Sequence, residues 1–182
     1  DLEELGNEFS VSVVALAADE ANNSFAAQNT VSRVLTNIRY ENGSVSWSAV
    51  MGVSEYGVKV NDGKEFIVSS ATRTPVTLTQ SGTDTISVRY YMGEEESEWI
   101  SITVDANVTV TLNNNIGSAS TTTSLYFVSG DRIVMSDTDR IGYTFSGWYT
   151  EQTGGQRIES GTVTASANVT YYAHWTANVY TI

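Results

Sequence analysis

The 182-residue chain contains no cysteine, a single histidine and a single proline. Without cysteine it has no disulfide framework, no thiolate metal site and no cysteine nucleophile. The one histidine, His174, excludes a multi-histidine metal site and leaves one side chain for acid–base chemistry near neutral pH. No apolar run approaches the roughly 20 residues that a membrane-spanning helix needs.

Basic residues are scarce. Nine Lys and Arg stand against 21 Asp and Glu, which gives a formal net charge of −12. Nucleic acids and anionic membranes are bound through Lys and Arg, so this balance argues against both as partners. Apolar residues make up 41% of the chain, which is an ordinary content for a folded protein.

Apolar and polar residues alternate along much of the chain, which is typical of strands with one buried face. The clearest runs are residues 9–13, 45–47, 56–60, 86–90, 100–104 and 108–112. Turn-forming residues such as Asn42-Gly43 and Asn61-Asp62-Gly63 lie between the runs, and helical periodicity is weak. The sequence therefore predicts a mainly β protein.

The composition changes near Asp105-Ala106-Asn107. Acidic residues outnumber basic ones ten to five in residues 34–105, but only five to three in residues 106–182, which are rich in Thr, Ser and Asn. We predict a domain boundary at this point. Because no low-complexity linker separates the two parts, we expect a semi-rigid pair of domains.

Residues 34–105 carry several strand motifs in a recognisable order. Val45-Ser46-Trp47 holds an early Trp, residues 56–61 read Tyr-Gly-Val-Lys-Val-Asn, and residues 86–90 and 99–104 supply two later strands. This segment resembles a fibronectin type III domain, which implies a β-sandwich. Asp84 or Thr85 stands where that family has its corner tyrosine, so the usual corner hydrogen bond is not expected.

Residues 1–33 contain a related pattern. Residues 5–15 resemble the final third of the same fold, with Phe9 at the corner position, and residues 24–32 supply a last strand. Two interpretations stay open: the tail of a preceding fibronectin-like repeat, or an N-terminal extension of the complete sandwich. If the strands lack their own sandwich, their bare edges favour self-association through residues 1–33.

Residues 106–176 contain a more specific aromatic motif. Gly142-Tyr143-Thr144-Phe145-Ser146-Gly147-Trp148 is followed by Tyr172-Ala173-His174-Trp175. The segment resembles the internalin B-type repeat, the Listeria–Bacteroides repeat of bacterial surface proteins, which implies a small β-grasp-like module. We expect the rings of Tyr143, Phe145, Trp148 and Trp175 to supply much of its core. Residues 177–182 resemble the start of a next repeat or a tail, so we interpret the chain as part of a longer tandem array with its anchor elsewhere.

No catalytic, metal or cofactor site is predicted. His174 occupies the variable position of the Tyr-Ala-x-Trp strand, and no nucleophile elbow, phosphate loop or dinucleotide fingerprint occurs. Two acidic groups, residues 94–98 and the trio Asp131, Asp137 and Asp139, lack the spacing of a dedicated calcium loop. We interpret both as solvated surface, and calcium binding by Glu94, Glu95, Glu96 and Glu98 is left open.

Adjacent aromatic residues on a strand face opposite sides, as in Tyr90-Tyr91 and Tyr171-Tyr172. One ring of each pair is expected in the core and the other at the surface, where it can stack on a sugar or anchor a protein. The candidate binding surface consists of Tyr91, Trp99, Tyr149 and Tyr172. Ordinary cross-strand packing is the alternative explanation for these rings.

Together these features predict a non-enzymatic, extracellular segment of a bacterial surface protein that acts as a spacer or adhesion module. The expected partner is a host protein or a glycan, bound weakly, with tandem copies converting weak contacts into avidity. The alternative is an accessory carbohydrate-binding segment of a large secreted polysaccharide-degrading enzyme. We expect no nucleic-acid partner and no membrane insertion of this segment.

Overall fold

The computed structural model describes residues 8–13 and 27–180. Apart from a 3₁₀ turn at Gly117–Ala119, the regular structure there consists of strands, which confirms the mainly β prediction. Strands β1 (Glu8–Val13) and β2 (Ala27–Ser32) form a two-stranded antiparallel sheet. Residues 1–7, 14–26 and 181–182 lie outside the described residues; they include the start of the strand predicted at 24–32 and the end of the predicted segment 177–182.

Two sheets form the part of the chain between residues 39 and 106. Their strands are β3 (Arg39–Glu41), β4 (Ser44–Ser46), β5 (Glu55–Val60), β6 (Phe66–Ser69), β7 (Arg73–Pro75), β8 (Gly82–Met92), β9 (Glu95–Glu96) and β10 (Ile100–Ala106). One sheet has the order β3-β4-β7; the other has the order β10-β8-β5-β6, with β9 paired to β8. A single core draws on both sheets, with Val45 from the first and Val58, Ile86 and Val88 from the second. This is the arrangement of a β-sandwich.

The early Trp lies in this core. The ring centroids of Trp47 and Tyr56 are 5.1 Å apart with their planes tilted by 56°, and both residues are buried. The Tyr56 hydroxyl accepts a hydrogen bond from the Val50 N–H at 3.0 Å, so its polar end is satisfied inside the core.

Asp84, one of the two residues predicted to stand where a fibronectin type III domain has its corner tyrosine, is fully buried. Its carboxylate accepts hydrogen bonds from the Thr79 N–H at 2.8 Å, from the Thr79 hydroxyl at 2.7 Å and from the Asn61 side-chain amide. The Asn61 Oδ1 accepts in turn from the Thr85 N–H at 2.8 Å. Burial alone raises the pKa of Asp84, but the hydrogen bonds from Thr79 and Asn61 outweigh it and leave that pKa below its usual range. A hydrogen-bond network thus joins the Asp84 carboxylate to Thr79 and Asn61.

The strands that follow form one five-stranded sheet with the order β12-β11-β15-β13-β14. They are β11 (Val108–Asn113), β12 (Thr122–Phe127), β13 (Tyr143–Tyr149), β14 (Arg157–Ile158) and β15 (Val169–Ala177). The first and last strands, β11 and β15, lie side by side and parallel at the centre, while the other pairs are antiparallel. This is a β-grasp-like sheet, although no α-helix crosses it in the part of the chain that the structure describes.

Aromatic rings fill one face of this sheet. The Phe145 ring packs edge-on against Trp148 and Trp175, with centroid distances of 5.4 and 5.5 Å. A bulge at Gly147, whose φ is 126°, brings the rings of Phe145 and Trp148 together across a shift in register. The expectation that Tyr143 joins this core is wrong. Tyr143 lies at the exposed end of β13, opposite Ala177, and the Arg140 guanidinium lies 3.6 Å from its ring centroid.

Strand β12 contacts both cores. Leu125 and Phe127 pack against the core of the five-stranded module. Tyr126 and the residue after the strand, Val128, pack against the sandwich core. An isolated antiparallel bridge also joins Leu78 of the sandwich to Tyr126. Ala106 belongs to the first core and Val108 to the second, so the change from one core to the other takes place within a single residue. The assignment of separate domains stays a prediction.

Candidate functional site

The five-stranded module, which resembles the Listeria–Bacteroides repeat, is called the repeat below. Its junction with the sandwich is built around one buried carboxylate. Asp131, in the loop after β12, is 6% exposed and accepts a 2.5 Å hydrogen bond from the Tyr40 hydroxyl of the sandwich. Its Oδ2 also lies 3.2 Å from the Val128 N–H. Burial and the bond to Asp131 raise the pKa of Tyr40. This contact ties β3 to the repeat.

A second contact at the junction uses the turn between β3 and β4. Asn42 and Gly43 adopt positive φ values of 50° and 71°, as a tight hairpin requires. The Asn42 Oδ1 accepts a hydrogen bond from the Arg132 N–H at 3.2 Å. Although the sequence predicts this turn, the residue that it contacts lies 90 positions away, and no local signal points to it.

A groove of about 780 Å³ runs beside the junction. On the sandwich side it is lined by Tyr40, Pro75 and Leu78; on the repeat side the lining includes Leu125 and Trp148. Clefts between two modules are common places for ligands. The groove therefore counts as a candidate site that the sequence did not indicate.

Two of the predicted surface rings, Tyr91 and Trp99, lie around Arg89 on the outer face of the sandwich sheet. The Arg89 guanidinium is 5.0 Å from the Tyr91 ring centroid and 4.5 Å from that of Trp99, and the Lys59 ammonium is 4.6 Å from the Trp99 ring. These are cation–π distances. Both rings are partly exposed, but each already has a cation near its face.

Glu65 completes this cluster. It accepts hydrogen bonds from the Arg89 Nε at 3.0 Å and from Nη2 at 2.7 Å, and the Tyr91 hydroxyl also donates to it. Hydrogen bonding to Arg89 is the main reason why the pKa of Glu65 lies below its usual range. Gly57 makes room for this carboxylate, because a Cβ there would overlap the Glu65 Oε1. The cluster is therefore an intramolecular ion-pair network on the outer face of the sheet.

The other two predicted rings, Tyr149 and Tyr172, are register partners on β13 and β15. Tyr171 is buried while Tyr172 is partly exposed, which is the alternation expected along a strand. Tyr149 stacks on His174 with ring centroids 3.9 Å apart and an angle of 8° between the planes. The structure thus brings the four predicted rings together as two pairs on different sheets. Whether either pair binds a ligand stays a prediction.

Polar side chains continue this outer face of the repeat. Thr109, Thr111, Thr170 and Asn168 line a shallow concavity of about 430 Å³ on β11 and the start of β15. The Asn168 Oδ1 accepts a hydrogen bond from the Thr109 N–H at 2.8 Å, which fixes the orientation of the amide. Sequence reasoning missed this concavity, because Thr and Asn on a strand carry no distinctive signal.

The geometry offers little for catalysis. The His174 Nε2 lies 2.9 Å from the Glu151 carbonyl oxygen, and its ring is stacked on Tyr149. In the described residues no three His, Cys, Asp or Glu side chains are grouped so that they could hold a metal ion. Asp131 is engaged with Tyr40, whereas Asp137 and Asp139 are exposed. Of the acidic loop, Glu96 pairs with Arg89 at 2.7 Å.

Comparison with known families supports the resemblance of the second module. Residues 108–174 match the family model described as the Listeria-Bacteroides repeat domain. This repeat is typical of bacterial surface proteins and is a non-catalytic type of surface module. No curated protein matches the chain. The resemblance of residues 34–105 to a fibronectin type III domain is matched by no family model and stays a prediction.

The match indicates a bacterial surface or extracellular protein. Within the described ranges, no helix has the length and hydrophobicity that crossing a membrane requires.

Proposed function

We propose that this chain is a non-enzymatic, extracellular segment of a bacterial surface protein that holds two β modules in a fixed relative orientation. In this function it extends and displays neighbouring domains, and tandem copies add weak adhesive contacts to a host protein or glycan. The observation that carries the proposal is the hydrogen bond from Tyr40 to the buried Asp131. A carboxylate that stays buried without a hydrogen-bond donor is costly, so the contact favours the orientation that keeps the Tyr40 hydroxyl on Asp131.

Three further contacts support a fixed junction. Tyr126 packs on the sandwich core while its neighbours Leu125 and Phe127 pack on the repeat core, so one strand serves both modules. The Leu78–Tyr126 bridge and the Asn42–Arg132 hydrogen bond lie beside it. Independent movement of the modules would break all of these contacts together.

The sandwich is proposed to be a fibronectin type III-like domain. Support comes from its three-stranded and five-stranded antiparallel sheets, from the buried Trp47 that follows β4, and from Tyr56 on β5. The Asp84 network takes the place of the corner tyrosine. Such modules in series give reach with limited bending, which suits a spacer.

Small-angle X-ray scattering on the full chain tests the spacer function. We expect a single compact arrangement whose maximum dimension does not change with salt, because the Tyr40–Asp131 contact is buried. The variant Tyr40→Phe together with Asn42→Ala should broaden the distance distribution, while Tyr143→Phe, at an exposed ring at the end of β13, should not. A broad distribution for the unmodified chain would reject a fixed spacer.

The adhesive function is tested by comparing the binding of tandem copies with that of the single chain. A tandem fusion of two or more copies should bind host cells and matrix proteins more tightly than the single chain, by far more than the copy number. If additional copies give no gain, avidity-based adhesion is untenable and the spacer function remains.

A second candidate function is that of an accessory carbohydrate-binding segment within a secreted polysaccharide-degrading enzyme. The observation that favours it is the pair of partly exposed rings, Tyr149 and Tyr172, beside the hydroxyl-lined concavity of the repeat.

A further inference from the structure

We propose that the solvent-facing side of the repeat sheet binds an uncharged glycan chain. The proposal rests on the second candidate function above and gives it a site and a ligand class. The site, called here the outer strip, consists of Thr109, Thr111, Asn113, Thr170, Tyr172, His174 and Tyr149. They lie on the three adjacent strands β11, β15 and β13.

Strand register places these residues together. Thr111 pairs with Thr170, Asn113 pairs with Tyr172, and Tyr172 pairs with Tyr149 on its other side. Because side chains alternate, the neighbours Val110, Leu112, Tyr171 and Ala173 point into the core, and all four are buried. From Thr170 to His174 the strip extends about 13 Å at the usual rise per residue, which is enough for a short oligosaccharide.

The aromatic end of the strip is pre-organised. The Tyr149 ring is held parallel to His174 at 3.9 Å, and the His174 Nε2 is fixed by the Glu151 carbonyl oxygen at 2.9 Å. Tyr172 lies on the same strand as His174 and is the register partner of Tyr149. Rigid aromatic side chains give apolar contact area at low entropic cost, and the apolar faces of pyranose rings are suited to such surfaces.

The other end of the strip supplies hydrogen-bonding groups. Thr109, Thr111 and Thr170 line the 430 Å³ concavity, and a threonine hydroxyl can both donate and accept a hydrogen bond. The bond from the Thr109 N–H to the Asn168 Oδ1 fixes the orientation of that amide, and Asn168 lines the same concavity. A row of sugar hydroxyls matches these groups.

The charge of the outer strip and of the chain indicates which class of glycan can bind, an uncharged one or an acidic one. None of the seven strip residues is Asp, Glu, Lys or Arg, and the chain as a whole carries a formal net charge of −12. Arg157, the register partner of Tyr149 on the edge strand β14, is paired with Glu159 at 2.7 Å. An acidic polysaccharide would be repelled by the surrounding charge. The strip therefore fits an uncharged chain.

The outer face of the sandwich sheet, which carries Tyr91 and Trp99, is poorly suited to bind an uncharged glycan. Arg89 and Lys59 already lie near the rings of Tyr91 and Trp99, and Glu65 bonds to the Tyr91 hydroxyl. A sugar could stack there only by displacing an ion pair. Tyr91 therefore provides a matched control: a partly exposed tyrosine on an outer sheet face of the same chain.

Affinity electrophoresis of the full chain in gels that contain soluble β-glucan, galactomannan, xyloglucan or polygalacturonate tests the proposal. We expect at least one uncharged polymer, and not polygalacturonate, to retard the chain. Tyr172→Ala and Tyr149→Ala should weaken that binding about tenfold, whereas Tyr91→Ala should keep it. Circular dichroism establishes that each variant is folded.

The outcomes separate the site from the function. If the chain binds an uncharged polymer but Tyr172→Ala binds equally well, the glycan-binding function stands and the outer strip is rejected as its site. If no uncharged polymer is bound, both are rejected, while the spacer function is decided by scattering alone. If Tyr172→Ala instead dissolves a dimer of the unmodified chain, the strip is a self-association face and the proposal is overturned.

Discussion

The hydroxyl of Tyr40 and the carboxylate of Asp131, 91 positions apart in the sequence, meet in a 2.5 Å hydrogen bond between the sandwich and the repeat. Asp131 is 6% exposed, and its Oδ2 also accepts a hydrogen bond from the Val128 N–H at 3.2 Å. The contact holds strand β3 against the loop that follows β12.

Removing the Tyr40 hydroxyl should destabilise the junction. In Tyr40→Phe the ring remains but Asp131 loses one donor, and an under-satisfied buried acceptor costs about 1–3 kcal/mol. Urea unfolding should show this loss for the repeat, whose loop carries Asp131. Tyr143→Phe, at an exposed ring of the same repeat, is the control and should change stability little. Equal effects of the two variants would contradict a structural role for the Tyr40–Asp131 bond.

The Asp84 network predicts a loss of stability in acid. The folded-state pKa of Asp84 lies below its usual value, so its contribution is present in full above about pH 4 and is lost as the pH falls through the folded pKa. Asp84→Asn should therefore flatten the decline of the unfolding free energy below pH 4, while Asp62→Asn, at an exposed turn, should leave that decline in place. If the unfolding free energies of Asp84→Asn and of the unmodified chain depended on pH in the same way, the network would contribute nothing to stability.

Gly147 is expected to be indispensable to the repeat. Its φ of 126° disfavours any L side chain, and an added Cβ would lie 2.6 Å from the Arg157 Nε. Gly147→Ala should cost about 1–3 kcal/mol of the unfolding free energy. Gly154→Ala is the control: its φ of 73° is less restrictive and no atom lies within 4 Å of the added Cβ. A thermal melt in which both variants lose equally would rule out the bulge as the cause.

The strands near the N-terminus predict self-association. β1 and β2 pair with each other in a two-stranded sheet, and such a sheet has two open edges. Light scattering coupled to gel filtration should detect dimers whose share grows with concentration, and removal of residues 1–33 should abolish them. A monomeric mass over a wide range of concentration would refute this prediction.

Local patterns predicted much of the fold, because they are read over a few residues. Period-two alternation indicated the strands and the split between Tyr171 and Tyr172, and the Gly-Trp motif indicated the repeat. Tyr143 shows the limit of such reading. Its motif position favoured the core, but it lies at the end of β13, beyond the packed rings.

Contacts between distant residues were not predictable in the same way. The missing corner tyrosine was visible in the sequence, but the Asp84 network depends on Asn61, 23 positions away. The partner of Tyr40 and the role of Gly57 under Glu65 are set by tertiary packing and leave no local signal. For the candidate site, sequence predicted the rings Tyr149 and Tyr172 but not the threonines beside them.

Residual dipolar couplings of the backbone amides, measured for both modules in one weakly aligned sample, test the fixed orientation most directly. We expect the couplings of residues 34–105 and of residues 108–176 to fit a single alignment tensor with the relative orientation that the Tyr40–Asp131 bond requires. Two tensors of different magnitude would mean that the modules move independently, and that result would contradict a junction locked by Tyr40 and Asp131.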